Sequence, residues 1–330
     1  LTWDSGNWTC PARCCFVRSA SGGWCPRRGD GEVIVTLDRV VIQRMGTYGL
    51  IASESGPRDA SIRVKLAGSV IQDTGSEGLY VYEDGPGALT VDMAWSSFTR
   101  TGGFGAFAVS YEGGNLNLTA SNSSFNDNEG NGLTLWTKSG ANAQVTLQNV
   151  QANGNGDRGV YLEDLDEGGV VFRGSGSTFS DNGDFGLGIN EAGEGSVQLT
   201  VLLSRLDRNG APGLVVVENG SGSVDFLVSG STVWGNDCCS PADVAVQLIE
   251  MSEGDLRGIV SGTTVYNNGG DGFLLAGEEE GQFDVTMYLT VALGNSGAGT
   301  RASAIGDPGV LRLLASAVGP YDLTNVTVVP

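Results

Sequence analysis

Apolar residues in this chain fall at fixed distances from a recurrent glycine. With Gly49, Gly78, Gly105, Gly132, Gly159, Gly186, Gly213, Gly272 and Gly299 as register marks, apolar pairs lie 16 and 14 residues upstream: Val33 and Val35, Ile62 and Val64, Leu89 and Val91, Leu116 and Leu118, Val197 and Leu199. Ile42, Ile71, Phe98, Phe125, Phe179, Leu206 and Val265 stand seven residues upstream. Leu50, Leu79, Leu133, Val160, Leu187, Leu214 and Phe273 directly follow the mark. Apolar and polar positions alternate with period two inside each segment, which is strand periodicity. Each repeat therefore predicts three short strands joined by corners rich in glycine, asparagine and acids.

An asparagine column keeps the same step. Asn128, Asn155, Asn182, Asn209 and Asn236 are 27 residues apart, and after a step of 32 the spacing resumes from Asn268 to Asn295; Met45, Thr74 and Thr101 occupy the earlier positions. A unit this small cannot bury its apolar face alone, so successive turns must stack. The prediction is an all-β, single-domain parallel β-solenoid with three short strands per turn. It is right-handed by the general rule for parallel crossovers. About eleven turns of ~27 residues, rising ~4.8 Å each, make a rod roughly 50 Å long. The asparagines read as a structural ladder, since asparagine tolerates left-handed backbone at a corner and stacked carboxamides hydrogen-bond from turn to turn.

Repeats such as Ser123-Ser124-Phe125-Asn126-Asp127-Asn128 before Gly132-Leu133, and Ser177-Thr178-Phe179-Ser180-Asp181-Asn182 before Gly186-Leu187, resemble those of right-handed parallel β-helix proteins in the pectate-lyase-like superfamily. The resemblance spans residues 30–330 and implies the fold. It implies no single activity, because that superfamily holds lyases, hydrolases, adhesins, phage spikes and inert surface proteins.

Two columns bear on function. On the strand after each register glycine, the outward positions include Ile51, Tyr80, Tyr82, Trp136, Tyr161, Val215, Val217 and Leu274, an apolar and aromatic face of the kind that marks a ligand or assembly surface. The preceding strand turns ordinary polar residues outward, among them Thr36, Arg63, Lys65, Thr90, Asp92 and Asn117. Five residues after the glycine stand Glu54, Glu83, Asp164, Glu191 and Glu218, with Glu250 and Glu278 near the same corner. Carboxylates stacked ~5 Å apart repel, so this ridge is expected either to stay hydrated or to hold Ca²⁺ or Mg²⁺.

Composition narrows the chemistry. Against 38 Asp+Glu there are 18 Lys+Arg, a net charge of −20, which argues against nucleic acid as a partner. Histidine is absent, which removes Ser-His-Asp hydrolysis, imidazole bases and histidine-ligated metals. A glycosidase or lyase site needs paired carboxylates, or a base beside a calcium site. The aromatic face offers Glu163 alone as an evident acid, and lysine occurs only at Lys65 and Lys138. No apolar run approaches the ~18 residues of a transmembrane helix.

Residues 1–30 break the repeat and contain Trp3, Trp8, Trp24 and four cysteines, as a cap over the first turn of residues 31–330 would. Six cysteines, Cys10, Cys14, Cys15, Cys25, Cys238 and Cys239, suit an oxidising compartment. The last two lie about seven turns, roughly 34 Å, from the cap, too far for bonds to it within one chain. A vicinal disulfide, two free thiols and bonds to another subunit remain open. The expectation is an extracellular or cell-surface, non-catalytic solenoid with no resident cofactor, self-associating into a homo-oligomer, filament or layer. The alternative is a polysaccharide-binding protein or calcium-dependent lyase using the same face.

Overall fold

The computed structural model describes residues 2–4, 7–9, 32–55, 60–236, 244–279, 281–305 and 308–329. The six cysteines, and most of the expected cap, lie outside them; Thr2–Asp4 and Asn7–Thr9 pair as an antiparallel ribbon.

From Val33 onward every turn contributes to three parallel sheets. The first runs over 12 strands, from Val33–Asp38 to Val326–Val329, and the third over 11, from Leu50–Ser55 to Tyr321–Thr324. The second is divided into two four-stranded pieces, joined where the strands shrink to single bridges at Gln151 and Thr178. Pairing follows the sequence repeat, with Leu116 opposite Leu89 on one side and Ala143 on the other. This is the right-handed parallel β-solenoid that the register marks predict. The extra five residues of the long step fall between Asn236 and Val244, since Arg205 pairs with Thr232 and Leu214 with Val246. Among the described residues no helix is long and apolar enough to cross a membrane.

Burial alternates along the first sheet, as in Val33–Asp38 and Ala143–Gln148. The inward residues, such as Val35, Val64, Val91, Leu116 and Val197, are fully buried. Stacking places like on like, so Phe98 lies over Phe125 with ring centroids 5.0 Å apart and planes 5° off parallel. Each such side chain stabilises the fold by about 1.5–3 kcal/mol, and none could do so in an isolated turn.

The asparagine column is a ladder of satisfied amides. Asn128 Nδ2 donates to Asn155 Oδ1 at 2.9 Å, Asn155 to Asn182 at 2.9 Å, Asn182 to Asn209 at 2.9 Å, and the series continues to Asn295. The second amide hydrogen goes to a main-chain carbonyl one rung back, as from Asn182 Nδ2 to Ala152 O at 3.0 Å. Thr101 ends the ladder, its hydroxyl donating to Asn128 Oδ1 at 2.9 Å. The left-handed backbone expected of these asparagines belongs instead to the residue before each: Asp127, Gly154, Asp181, Arg208, Gly235, Asn267 and Gly294 all have φ between 53° and 66°. The register glycine is required by the ladder: a Cβ on Gly132 would lie 2.6 Å from Gly159 O and 2.8 Å from Asn155 Nδ2. A serine column at another corner escaped the sequence reading. There Ser96 N donates to Ser123 Oγ at 3.1 Å and Ser177 N to Ser204 Oγ at 3.2 Å.

Candidate functional site

Two rows of side chains point outward from the third sheet. One runs Ile51, Tyr80, Phe107, Thr134, Tyr161, Gly188, Val215. Its companion runs Ser53, Tyr82, Val109, Trp136, Glu163, Asn190, Val217. All eight residues expected on this face are therefore brought together, with Leu274 further along the first row. Val215 is buried; the other seven are partly exposed.

The face has two halves. In the lower, rings pack on rings: Tyr48 on Tyr80 at 5.6 Å, Tyr80 on Phe107 at 5.5 Å, and Phe107 against the edge of Trp136 at 4.9 Å. Tyr82 meets Tyr111 at 5.6 Å and Phe104 meets Phe107 at 5.3 Å. Such pairs fix ring orientation beyond what burial alone supplies. Thr134 is fully buried among them and accepts a hydrogen bond from Asn131 Nδ2 at 2.9 Å. The Trp136 indole nitrogen is buried without a partner. In the upper half Val215, Val217, Ile249 and Leu274 make the surface aliphatic.

Between the halves lies a polar centre. Arg158 Nε donates to Asp184 Oδ2 at 2.9 Å, and the guanidinium carbon is 4.1 Å from the centroid of Tyr161 and 5.2 Å from that of Phe185. Its main-chain nitrogen donates to Asn131 Oδ1 at 2.9 Å, tying it to the rung below. Gly188 leaves the next outward position bare, and the rings of Tyr161 and Phe185 lean over it, within 3.2 Å of where a Cβ would stand. Glu163 adjoins Tyr161.

Burial shapes the ionisation of this centre. Burial first, then the charge of Glu163, raises the Tyr161 pKa; burial and Asp84 push Tyr82 up to about 12. These phenols stay protonated at neutral pH and donate hydrogen bonds. Burial alone would lower the pKa of Arg158, but the hydrogen bond and charge of Asp184 outweigh it and the net shift is upward. Burial raises Asp157 beside it, with Arg158 opposing and Asp184 adding to the rise.

Arg158, Phe185, Phe104 and Tyr48 were missed in the sequence because each directly precedes a register glycine, outside the alternating strand. Phe107 was missed as a member of a row already partly named, and Tyr111 because it lies just past the end of the strand Ala106–Ser110. The signal was present as a column one position before Gly49, Gly105, Gly159 and Gly186.

The acidic column is corrected more deeply. It does not form a hydrated ridge. Glu83, Asp164, Glu191, Glu218 and Glu250 are fully buried and Glu54 is nearly so, because the fifth position after the glycine points inward at the end of the third-sheet strand. There the acids from Asp164 to Glu250 close the corner that follows. Glu218 Oε1 accepts from Gly220 N at 2.8 Å and Gly222 N at 3.2 Å; Glu250 Oε1 accepts from Ser252 N at 2.7 Å and Gly254 N at 3.1 Å; Glu191 Oε1 accepts from Gly193 N at 2.9 Å. The glycines are obligatory, since a Cβ on Gly222 would lie 1.7 Å from Gly195 O. Among the described residues no three Asp, Glu, His or Cys converge as metal ligands would.

A family model described as Right handed beta helix region matches residues 28–232, more than half of the chain. The chain belongs to that family. Among solved structures, pectate lyase Pel9A covers 89% of this chain and 69% of its own at 16% identity, with a TM-score of 0.46. The periplasmic alginate epimerase AlgG covers 85% of this chain and 76% of its own at 11% identity, with a TM-score of 0.40. The A-module of the Azotobacter vinelandii mannuronan C-5 epimerase AlgE6 covers 89% and 85% at 15% identity, with a TM-score of 0.39. No curated protein sequence matches significantly. For this right-handed β-helix, what the face does must be argued from its own residues.

Proposed function

We propose that the outer face of the third sheet binds an extended, uncharged carbohydrate chain without cleaving it, outside the cell or at its surface. One observation carries the reading: the Arg158–Asp184 pair is held at 2.9 Å in the middle of an aromatic face, against Tyr161 and Phe185. Arginine and aromatic rings are common in protein interfaces, but carboxylates are depleted from their cores, and Asp184 stands in the middle of this face. Rings that cover C–H surfaces, with phenols, an amide and a guanidinium beside them, match a ligand that alternates apolar and hydroxyl-bearing edges. The cation is neutralised by its own partner and the chain carries a charge of −20, so a polyanion gains little here. Neutral phenols and the absence of histidine speak against proton abstraction. The even number of cysteines suits an oxidising, extracellular setting.

A second reading, self-association into a filament or layer, draws on the aliphatic half, where Val217 and Leu274 remain partly exposed. Affinity electrophoresis in gels containing neutral xylan, β-glucan or galactomannan, with alginate and polygalacturonate as anionic counterparts, separates the two. The expected result is retardation by a neutral polymer that Tyr161→Ala and Phe185→Ala abolish while the unfolding midpoint stays within a few degrees. Retardation by anionic polymers alone, or by none, overturns it. Sedimentation that grows with concentration and ordered fibres in electron micrographs would then support assembly.

A further inference from the structure

The acid column contains buried groups that the proposed face does not use. Asp164 pairs with Glu191, Glu191 with Glu218 and Glu218 with Glu250, so four carboxyls occupy consecutive rungs about 4.8 Å apart. In each, one oxygen serves the corner: Asp164 Oδ1 accepts from Asp166 N at 3.4 Å, and the glutamates accept from the corner nitrogens already described. The other oxygen, Asp164 Oδ2 and the Oε2 of Glu191, Glu218 and Glu250, is buried with no hydrogen-bond donor.

Among the described residues no cation relieves them. The groups acting on these carboxyls are one another, Asp166, the hydroxyl of Thr137 and main-chain N–H groups; no arginine or lysine is among them. The rung above Glu250 is Gly277 and the rung below Asp164 is Thr137, so neither end supplies a counter-charge. Four adjacent buried charges with no partner are far costlier than protonating some of the acids.

We propose that this column is a proton-sharing ladder, in which the four carboxyls together hold fewer than four negative charges at neutral pH and each bound proton is donated to the free oxygen of a neighbour in the next rung. The structure supplies the acceptors, in register and, beyond the Thr137 hydroxyl next to Asp164, without competing side-chain donors; the protons supply the missing donors. Burial, the leading cause, pushes Asp164 up to about 6 and raises Glu191 and Glu250, with Glu218 adding to both glutamates. The folded chain then binds more protons than the unfolded one above the ordinary carboxyl range, and stability must fall as pH rises through the raised values. The ladder makes the rod firmest in mildly acidic surroundings. At alkaline pH it loosens the ends of the strands that carry the outer face. This inference does not depend on what that face binds.

The test follows the unfolding midpoint of the whole chain from about pH 5 to about pH 9, for wild type and for Glu218→Gln. Glutamine supplies a permanent donor in the middle of the column. The wild-type midpoint should fall by about 5 °C or more, and the variant should lose much less of it over the same range. An infrared spectrum of wild type at neutral pH should show the carbonyl stretch of a protonated carboxylic acid, fading at alkaline pH. A midpoint that does not change with pH, an equal fall in both proteins, or a neutral spectrum without that band overturns the proposal. A rise of the alkaline midpoint on adding Ca²⁺ or Mg²⁺ also overturns it, since the column would then be holding a cation. If Glu218→Gln does not fold, the spectrum and its change with pH are read in Glu83→Gln, which removes the raised acid outside the ladder, and decide the matter there.

Discussion

Each strand of the third sheet from residue 160 to 250 lies between two buried polar columns, asparagine at the corner before it and an acid at its end. Both consist of residues repeated rung after rung, yet they solve stacking differently. A carboxamide has two donors and an acceptor, so copies in register satisfy one another: Asn182 donates to Asn209 and to Ala152 O, and accepts from Asn155. A carboxylate only accepts. Repeating it leaves Glu191 Oε2, Glu218 Oε2 and Glu250 Oε2 facing neighbours that have nothing to donate. A solenoid therefore multiplies whatever self-compatibility a side chain has, and the acid column is stable only by virtue of its corner N–H groups and bound protons.

The sharpest way to break this contrast is to place an acid in the amide column. Asn182→Asp loses both donations and aims a carboxylate at Asn209 Oδ1 and Ala152 O. We expect a loss of about 4 kcal/mol, against about 2 kcal/mol for Asn182→Ala, both read from urea denaturation at neutral pH. Equal losses would mean that the ladder's donors matter no more than its volume.

A smaller loss should follow from crowding the ladder without touching its chemistry. In Gly159→Ala the new methyl would stand 2.5 Å from Gly186 O and 2.8 Å from Asn182 Nδ2, and the rungs must part to admit it. The expected cost is about 2–3 kcal/mol. An unchanged denaturation midpoint would show that the amide column tolerates a wider rung spacing than its 2.9 Å bonds suggest.

These two columns were not equally legible in the sequence. The asparagines announced themselves because their spacing is regular and their chemistry self-complementary, so pattern and physics agreed. The acids were legible as a column, but with hydration or a bound divalent cation as the expected outcome, because a charged residue at a predicted corner is ordinarily exposed. The missing clue was the pair of glycines two and four residues later, as in Glu191-Ala192-Gly193-Glu194-Gly195 and Glu218-Asn219-Gly220-Ser221-Gly222. That spacing curls the main chain around a carboxyl. The outer face was legible for the alternating positions of the strand and illegible for Arg158 and Phe185, which the corners bring together beside Tyr161, with the guanidinium over both rings.

Glu83 tests the acid side of the comparison in isolation. Ser110 and Thr137 separate it from Asp164, while Glu54 is its neighbour below. Burial pushes it up to about 8, with the nearby main-chain N–H of Gly85 opposing and Glu54 adding to the rise. In wild type its contribution is whole below the ordinary carboxyl range and is lost as pH rises through that raised value. Glu83→Gln should leave stability near pH 4 unchanged and increase it near pH 9 by about 1–2 kcal/mol, read from paired melting curves. A variant weaker at both pH values would show that Glu83 acts through its fit in the corner.

The smallest effect lies in a third column, where geometry alone is repeated. Gly176, Leu203 and Gly230 occupy one corner on successive rungs with φ of 59°, 49° and 60°. Glycine holds this conformation without strain, whereas a leucine there costs about 1–2 kcal/mol. Leu203 is 74% exposed, so little burial rewards it, although its Cδ2 covers the bare Cα of Gly230. Leu203→Gly removes the strain and gives up that cover, and it adds freedom to the unfolded chain. The balance should be a gain of about 0.5 kcal/mol, visible as a slightly higher urea midpoint. A loss would mean that the leucine's contact across the rung outweighs its backbone strain, and that even a column selected for geometry is held by what its side chains touch.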